Sequence, residues 1–176
     1  MLVTYKTIDC ADIADIRMID RSEIIDEVYY YIDGKLELQQ EHYTMKDFPP
    51  GEREKIIERQ RKILGSGGTA IGAYDGSILV GIVSVENRLR GKNADIVKMD
   101  ILFVSDGYRK LGIAKELVGR AKSIGASFQA KKLYISATPS KNTVDFYMRL
   151  GCRLVEELDA ELFEMEPEDI HLELSI

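Results

Sequence analysis

Arg109-Lys110-Leu111-Gly112-Ile113-Ala114 joins an apolar run, Ile101-Leu102-Phe103-Val104, to apolar residues at helical spacing: Ile113, Ala114, Leu117, Val118, Ala121 and Ile124. β-Branched and aromatic residues favour a strand before the turn, and the period favours a helix after it. The first N–H groups of a helix have no partner inside it, and the helix dipole places positive charge there. Such a start suits an anion, a pyrophosphate above all. Gly112 has no Cβ, so the backbone can come close to a ligand. Arg109 and Lys110 add positive charge at the same place. The plain alternative is a strand–helix turn with solvated basic residues.

Arg109-x-x-Gly112-x-Ala114 after an apolar strand resembles the coenzyme-A loop of the GNAT superfamily of acyl-CoA-dependent N-acetyltransferases. A second stretch, Ser140 to Cys152, resembles the family helix in which Phe-Tyr is followed, a few residues on, by Gly-Phe. The resemblance implies acetyl-CoA as acyl donor, no metal, and direct transfer to a primary amine of a small molecule or a peptide. It implies that Arg109, Lys110, Leu111, Gly112, Ile113 and Ala114 hold the diphosphate. It implies that main-chain groups of Leu102, Phe103 and Val104, on a strand splayed from its neighbour, hold the pantetheine arm and polarise the thioester. Tyr147 matches the tyrosine that protonates the departing thiolate; a phenol titrating near ~10 still carries its proton at neutral pH. The family often has an Asn seven residues before that tyrosine. Ser140 stands there and Asn142 lies two residues on, so either could contact the cofactor. Cys152 stands where an aromatic residue is common, and no His near it in sequence suggests a nucleophile.

The attacking amine must lose a proton. Strand alternation places Lys98, Asp100, Leu102 and Val104 on one face. Many family members carry a Glu base on this strand; Lys98 occupies the position aligned with it, and Asp100 lies one pleat nearer the ligand end. Asp100 can serve if burial raises its pKa. Glu86 on the preceding strand is a second candidate, and water a third. A carboxylate spent on a salt bridge near Lys98 is the plain alternative.

The remaining elements must position these groups. Leu2 to Ile8 reads as a strand, and Asp9 or Asp12 as the cap of a helix bearing Ile13, Ile16 and Ile19. Val28-Tyr29-Tyr30-Tyr31-Ile32 and Lys35-Leu36-Glu37-Leu38-Gln39 flank Asp33-Gly34, a two-residue hairpin signal. Its tyrosines are candidates for a wall of the acceptor pocket. Glu52 to Leu64 reads as a helix. Gly65-Ser66-Gly67-Gly68-Thr69-Ala70 fits a dinucleotide-loop pattern, but it follows a helix and precedes a strand, the reverse of what that loop needs. Thr69 to Tyr74, Ile78 to Asn87 and Ala94 to Val104 form a meander. Lys132 to Thr138 is a strand, Ser140 caps a helix running to about Leu150, Leu158 to Asp169 connects, and Arg153 to Glu157 and Ile170 to Leu174 are strands. This order predicts an α/β fold: a mixed, mostly antiparallel sheet with helices on both faces, GNAT-like but for an extra N-terminal β-hairpin. Residues 1–176 read as a single acetyltransferase domain.

Lys plus Arg total 24 and Asp plus Glu 30, for a formal net charge of -6, which argues weakly against nucleic acid and weakly for a cationic acceptor; a balance that serves only solubility is the plain alternative. No apolar run is long enough to span a bilayer. Cys10 and Cys152 form no metal-type cluster with two histidines and read as buried thiols of a reducing compartment. A cytoplasmic protein without a membrane partner is the expectation, and a homodimer through the terminal strands is one arrangement open to it. Two rival readings are a non-catalytic acyl-CoA sensor or partner-binding module on the same fold, and a ligand-free structural domain.

Overall fold

The computed structural model describes residues 2–176. In chain order the elements are β1 (Val3–Ile8), β2 (Glu23–Ile32), β3 (Lys35–Met45), α1 (Glu52–Gly65), β4 (Thr69–Asp75), β5 (Ile78–Val85), β6 (Ile96–Val104), α2 (Ile113–Ser127), β7 (Lys132–Ala137), α3 (Lys141–Arg149), β8 (Arg153–Leu154), α4 (Ala160–Met165) and β9 (Ile170–Ser175). Seven strands form one sheet in the order β1-β4-β5-β6-β7-β9-β8, and β2-β3 forms a separate two-stranded sheet. Among the described residues only β6 and β7 run parallel; the other neighbours are antiparallel.

Each face of the sheet buries a helix layer. On one face Ile56 and Ile57 of α1 pack with Ile8, Ile13, Ile16, Ile19, Leu79, Ile82 and Ile101. On the other, Ile113, Leu117, Val118 and Ala121 of α2 and Val144 of α3 pack with Val80, Val83, Val97 and Met99. The expected mixed sheet with helices on both faces is thus observed. The first helix is shorter than its apolar spacing suggests, a 3-10 helix over Ile13–Met18. The Asp9 carboxylate accepts from Ala11 and Asp12 N–H ahead of it. Part of the connector before β9 folds as α4, capped by Asp159, whose carboxylate accepts from Leu162 N–H at 3.1 Å. Cys152 is buried as expected, but Cys10 is exposed.

The hairpin turns through Asp33 and Gly34 with φ 50° and 83°, the left-handed pair a two-residue turn needs. It docks on the start of α3: Tyr29 N–H donates to Pro139 O at 2.8 Å and Tyr29 Oη donates to Asp145 at 2.8 Å.

Two features of β6 shape everything near it. β6 pairs with β7 only at Ile96↔Lys132, Val97↔Leu133 and Lys98↔Tyr134, then separates from it. Beyond Lys98, β6 keeps β5 as partner while β7 keeps β9, so the facing edges of β6 and β7 are released. Second, the β5 register jumps from Ser84↔Ile101 to Val85↔Met99, which leaves Asp100 as an extra residue. Such a bulge resets the alternation. Met99 and Leu102 pack with the α2 layer, whereas Ile101 and Phe103 pack with the α1 layer. Strict alternation had placed Asp100 on the face of Leu102 and Val104; the bulge separates them.

Candidate functional site

A cleft of about 1510 Å³ runs from the parting of β6 and β7 to the start of α2. Leu102, Phe103 and Val104 line one side, Ile135, Ser136, Ala137 and Thr138 the other. The loop residues Arg109, Lys110, Gly112, Ile113 and Ala114 close one end; Leu111, 54% exposed, points away and does not line it. Gly112 has φ 85° and caps α2, and a Cβ there would meet nothing within 4 Å. Lys110 also takes a positive φ, 62°, to make the turn. The first helical bond of α2 is Glu116 N–H to Gly112 O at 3.1 Å, so the N–H groups of Ile113, Ala114 and Lys115 precede the helical ladder. Arg109 is braced by Val104 O at 3.3 Å and by Asp106 at 3.2 Å. A mouth of free N–H groups beside Arg109, Lys110 and Lys115 fits a diphosphate.

Tyr147 lies on α3 with Phe146 at its edge, the ring centroids 5.2 Å apart. The residue is 5% exposed and lines the cleft. Burial, reinforced by Cys152 and Asp169, holds its phenol far above the usual range, so it keeps its proton at any working pH. Asn142 and Thr143 line the cleft beside it. Ser140 does not: it is 1% exposed and its Oγ donates to Thr143 Oγ1 at 2.9 Å. A serine hydroxyl spent at the helix start is not free to meet a cofactor, so of the two alternatives Asn142 has the access.

Asp100 lines the cleft, but its carboxylate already has charged and polar neighbours. Its carboxylate takes Lys98 Nζ at 2.8 Å, Arg59 Nε at 2.8 Å and Gln60 Nε2 at 2.6 Å. Burial pushes its pKa up, but the charges of Lys98 and Arg59 outweigh burial and hold it below the usual carboxylate range. The expectation of a raised, basic Asp100 is therefore corrected: the side chain meets Lys98 of its own strand and Arg59 of α1. Glu86 is corrected as well. It accepts from Arg90 Nη2 at 2.9 Å and stands outside the cleft. Burial pushes the Cys152 thiol up to about 11, which suits a packed residue and not a thiolate nucleophile.

The end of the cleft away from the α2 start is built from parts the sequence did not single out. The root of the hairpin contributes Glu23, Ile24, Thr44, Met45 and Lys46, while Tyr29, Tyr30 and Tyr31 stay off the cleft wall. Arg21 stacks over the Phe103 ring at 4.6 Å and the Phe48 ring at 4.9 Å. Glu166, Pro167, Glu168 and Asp169 line the cleft from the connector ahead of β9. Burial, with help from Glu166, pushes the Asp169 carboxyl up to about 7. The one sequence signal for these residues was an acidic, proline-containing run next to a strand. Among the described residues no group of three or more His, Cys, Asp or Glu is placed to hold a metal, and no helix is long and apolar enough to cross a membrane.

A strand parted from its parallel neighbour, with a helix start suited to an anion beyond it, is the arrangement the resemblance to the GNAT superfamily implied. The chain belongs to the GNAT acetyltransferases: the family model for the acetyltransferase (GNAT) domain matches residues 51–161. No curated protein sequence matches the chain. Solved structures share the fold across its whole length. A nourseothricin acetyltransferase superposes with a TM-score of 0.74 at 19% identity, covering 99% of each chain. A Bacillus anthracis str. Ames protein assigned as a streptothricin acetyltransferase, in complex with acetyl coenzyme A, gives 0.71 at 13% identity, covering 100% of this chain and 99% of that one. The PaiA N-acetyltransferase of Thermoplasma acidophilum, in complex with coenzyme A, gives 0.62 at 16% identity, covering 100% of both. At these identities the likeness is one of fold.

Proposed function

We propose that residues 1–176 form one acetyltransferase domain that transfers an acetyl group from acetyl-CoA directly to a primary amine. The observation that carries this reading is the three-pair contact between β6 and β7. It releases the main chain of Leu102 to Val104 into the same cleft that ends at the α2 start. The Arg109–Ala114 loop and α2 bind the diphosphate of the donor. The freed edge of β6 takes the pantetheine arm as an added strand would, and its N–H groups polarise the thioester carbonyl. Asn142 adds a contact from α3. Tyr147 donates its proton to the thiolate that leaves. The amine enters from the other end, between the hairpin root and the connector ahead of β9. Bound structures within the fold family hold coenzyme A or its acetyl ester, which supports the choice of donor.

The test is a thermal shift with acetyl-CoA, followed by thiol release from acetyl-CoA with a panel of amines. Nourseothricin, spermidine, lysine and a lysine-containing peptide make a first panel. A ligand that binds only the folded chain raises its melting temperature. The expected result is stabilisation by acetyl-CoA and thiol release that requires an amine. Absence of both overturns the reading.

A further inference from the structure

Asp169 is a cleft carboxylate with no assigned partner. It directly precedes Ile170, whose register partner is Ala137 at the end of β7. β6 and β7 are parallel and in contact only near their starts, so Asp169 stands at the open end of the parting, beside Thr138. It lines the cleft together with Tyr147, and its charge helps to raise the phenol. Its main-chain N–H donates to Glu166 O at 3.2 Å, which fixes the turn that presents the side chain.

Asp100 and Asp169, both in the cleft wall, have opposite surroundings. Asp100 is held by two cations and an amide. Asp169 is faced by Glu166 and Glu168 on its own connector, by Lys98 from β6, by Arg21 from the segment ahead of β2, and by Tyr147 from α3. Burial dominates there, and the carboxyl titrates at about 7. Where two titratable groups of one site are driven apart in this way, their environments assign the roles. A carboxylate tied to Lys98 and Arg59 is a poor proton acceptor, and one that titrates near neutrality is a good one.

We propose that Asp169 is the general base that takes the proton from the acceptor ammonium, directly or through one water. The assignment rests on the acetyl-transfer reading above. The ammonium gives one proton to the Asp169 carboxylate, and the neutral nitrogen attacks the thioester carbon. The C–N bond forms and the C–S bond breaks. Tyr147 gives its proton to the departing sulfur, and its phenolate takes the second proton leaving nitrogen. Asp169 then releases its proton to solvent, so one amide, one thiol and one proton result. Lys98 reaches Asp100 at 2.8 Å and Glu166 at 3.9 Å, and thereby links the engaged aspartate to the connector that carries the base.

The test follows kcat/KM between about pH 5 and pH 9 for the wild type, Asp169→Asn and Asp169→Glu, with acetyl-CoA and the best amine of the panel. The expected wild-type profile rises through one ionisation near 7. Asp169→Asn loses that ionisation and at least ~100-fold in rate, and Asp169→Glu recovers a rising profile. Asp169→Asn with the wild-type profile and a rate within about threefold of it overturns the proposal. A thermal shift with acetyl-CoA in each variant separates a lost base from a lost donor site. A second measurement needs no acceptor. With ¹³C-carboxyl aspartate, the resonance that vanishes in Asp169→Asn is expected to titrate near 7; titration in the ordinary range of about 4 overturns the proposal whatever the acetyl-transfer assay shows.

Discussion

The Lys98 ammonium lies 2.8 Å from the Asp100 carboxylate, and the two side chains are 1% and 0% exposed. Two ions taken out of water lose hydration, and only close, multiple contacts offset that loss. Here Arg59 and Gln60 of α1 supply the rest. The cluster ties the bulge of β6 to α1, just where β6 leaves β7. It holds the bulge that shapes this wall of the cleft.

Asp100→Ala should therefore be a stability variant first. It leaves Lys98 buried without its main counter-ion, and breaking such a pair costs about 3–5 kcal/mol. The sign with pH follows from the lowered carboxyl. Its stabilisation is present above the unfolded value near ~4 and is lost as pH falls through the folded one. Urea unfolding of wild type and variant should show a wide gap at neutral pH that narrows in acid. A gap of under about 1 kcal/mol at neutral pH would mean that the pair is not stabilising the bulge.

Tyr147→Phe removes only an oxygen from a buried ring. The ring keeps its contact with Phe146, so acetyl-CoA affinity should change little. Turnover at neutral pH should fall by ~100-fold or more, because the thiolate would have to leave without an acid. Single-turnover kinetics beside calorimetric binding of acetyl-CoA checks both halves. Unchanged turnover would remove the phenol from the mechanism.

Much of this arrangement was legible in the residues, and the failures share a cause. Local signals held up: Asp33-Gly34 as a turn, Gly112 at the start of α2, and the helix bearing Tyr147. Each depends on near neighbours in sequence. Asp100 misled because strict alternation fails at a bulge, and a bulge is set by pairing with β5 across the sheet. Asp169 was passed over because an acidic run ahead of a strand has no period. Its meaning comes from Lys98, Arg21 and Tyr147, which the fold brings to it from far along the chain. Ser140 shows the same limit on a smaller scale, since its partner Thr143 takes the hydroxyl a cofactor contact would need.

Gly112→Ala tests the loop. The φ of 85° is costly for any residue with a Cβ, by roughly 1–2 kcal/mol, so the variant should melt a few degrees lower. The larger effect should be on the donor. The added methyl projects into the open space at the helix start, where the diphosphate approaches. A rise of ~10-fold or more in the Kd for coenzyme A is expected, equal to about 1.4 kcal/mol. The same affinity for a pantetheine fragment without the diphosphate would place the loss at the loop. Equal loss for both would place it elsewhere.

Asp169→Asn should make the protein more stable in neutral and alkaline solution while it impairs catalysis. The folded carboxyl titrates at about 7, above its unfolded value near ~4. A raised acid contributes stability that is complete below the unfolded value and is lost as pH rises through the folded one. The wild type therefore gives up stability between about pH 4 and pH 7 on this account, and the uncharged amide does not. Other groups in the fold, such as His171, titrate alike in both proteins and cancel in the difference. The melting-temperature difference, variant minus wild type, should grow across that window by on the order of 5 °C and level off above it. A difference that does not move with pH would show that Asp169 ionises in the folded chain as freely as in water. A catalytic base kept at such a cost is the kind of strain a functional site retains.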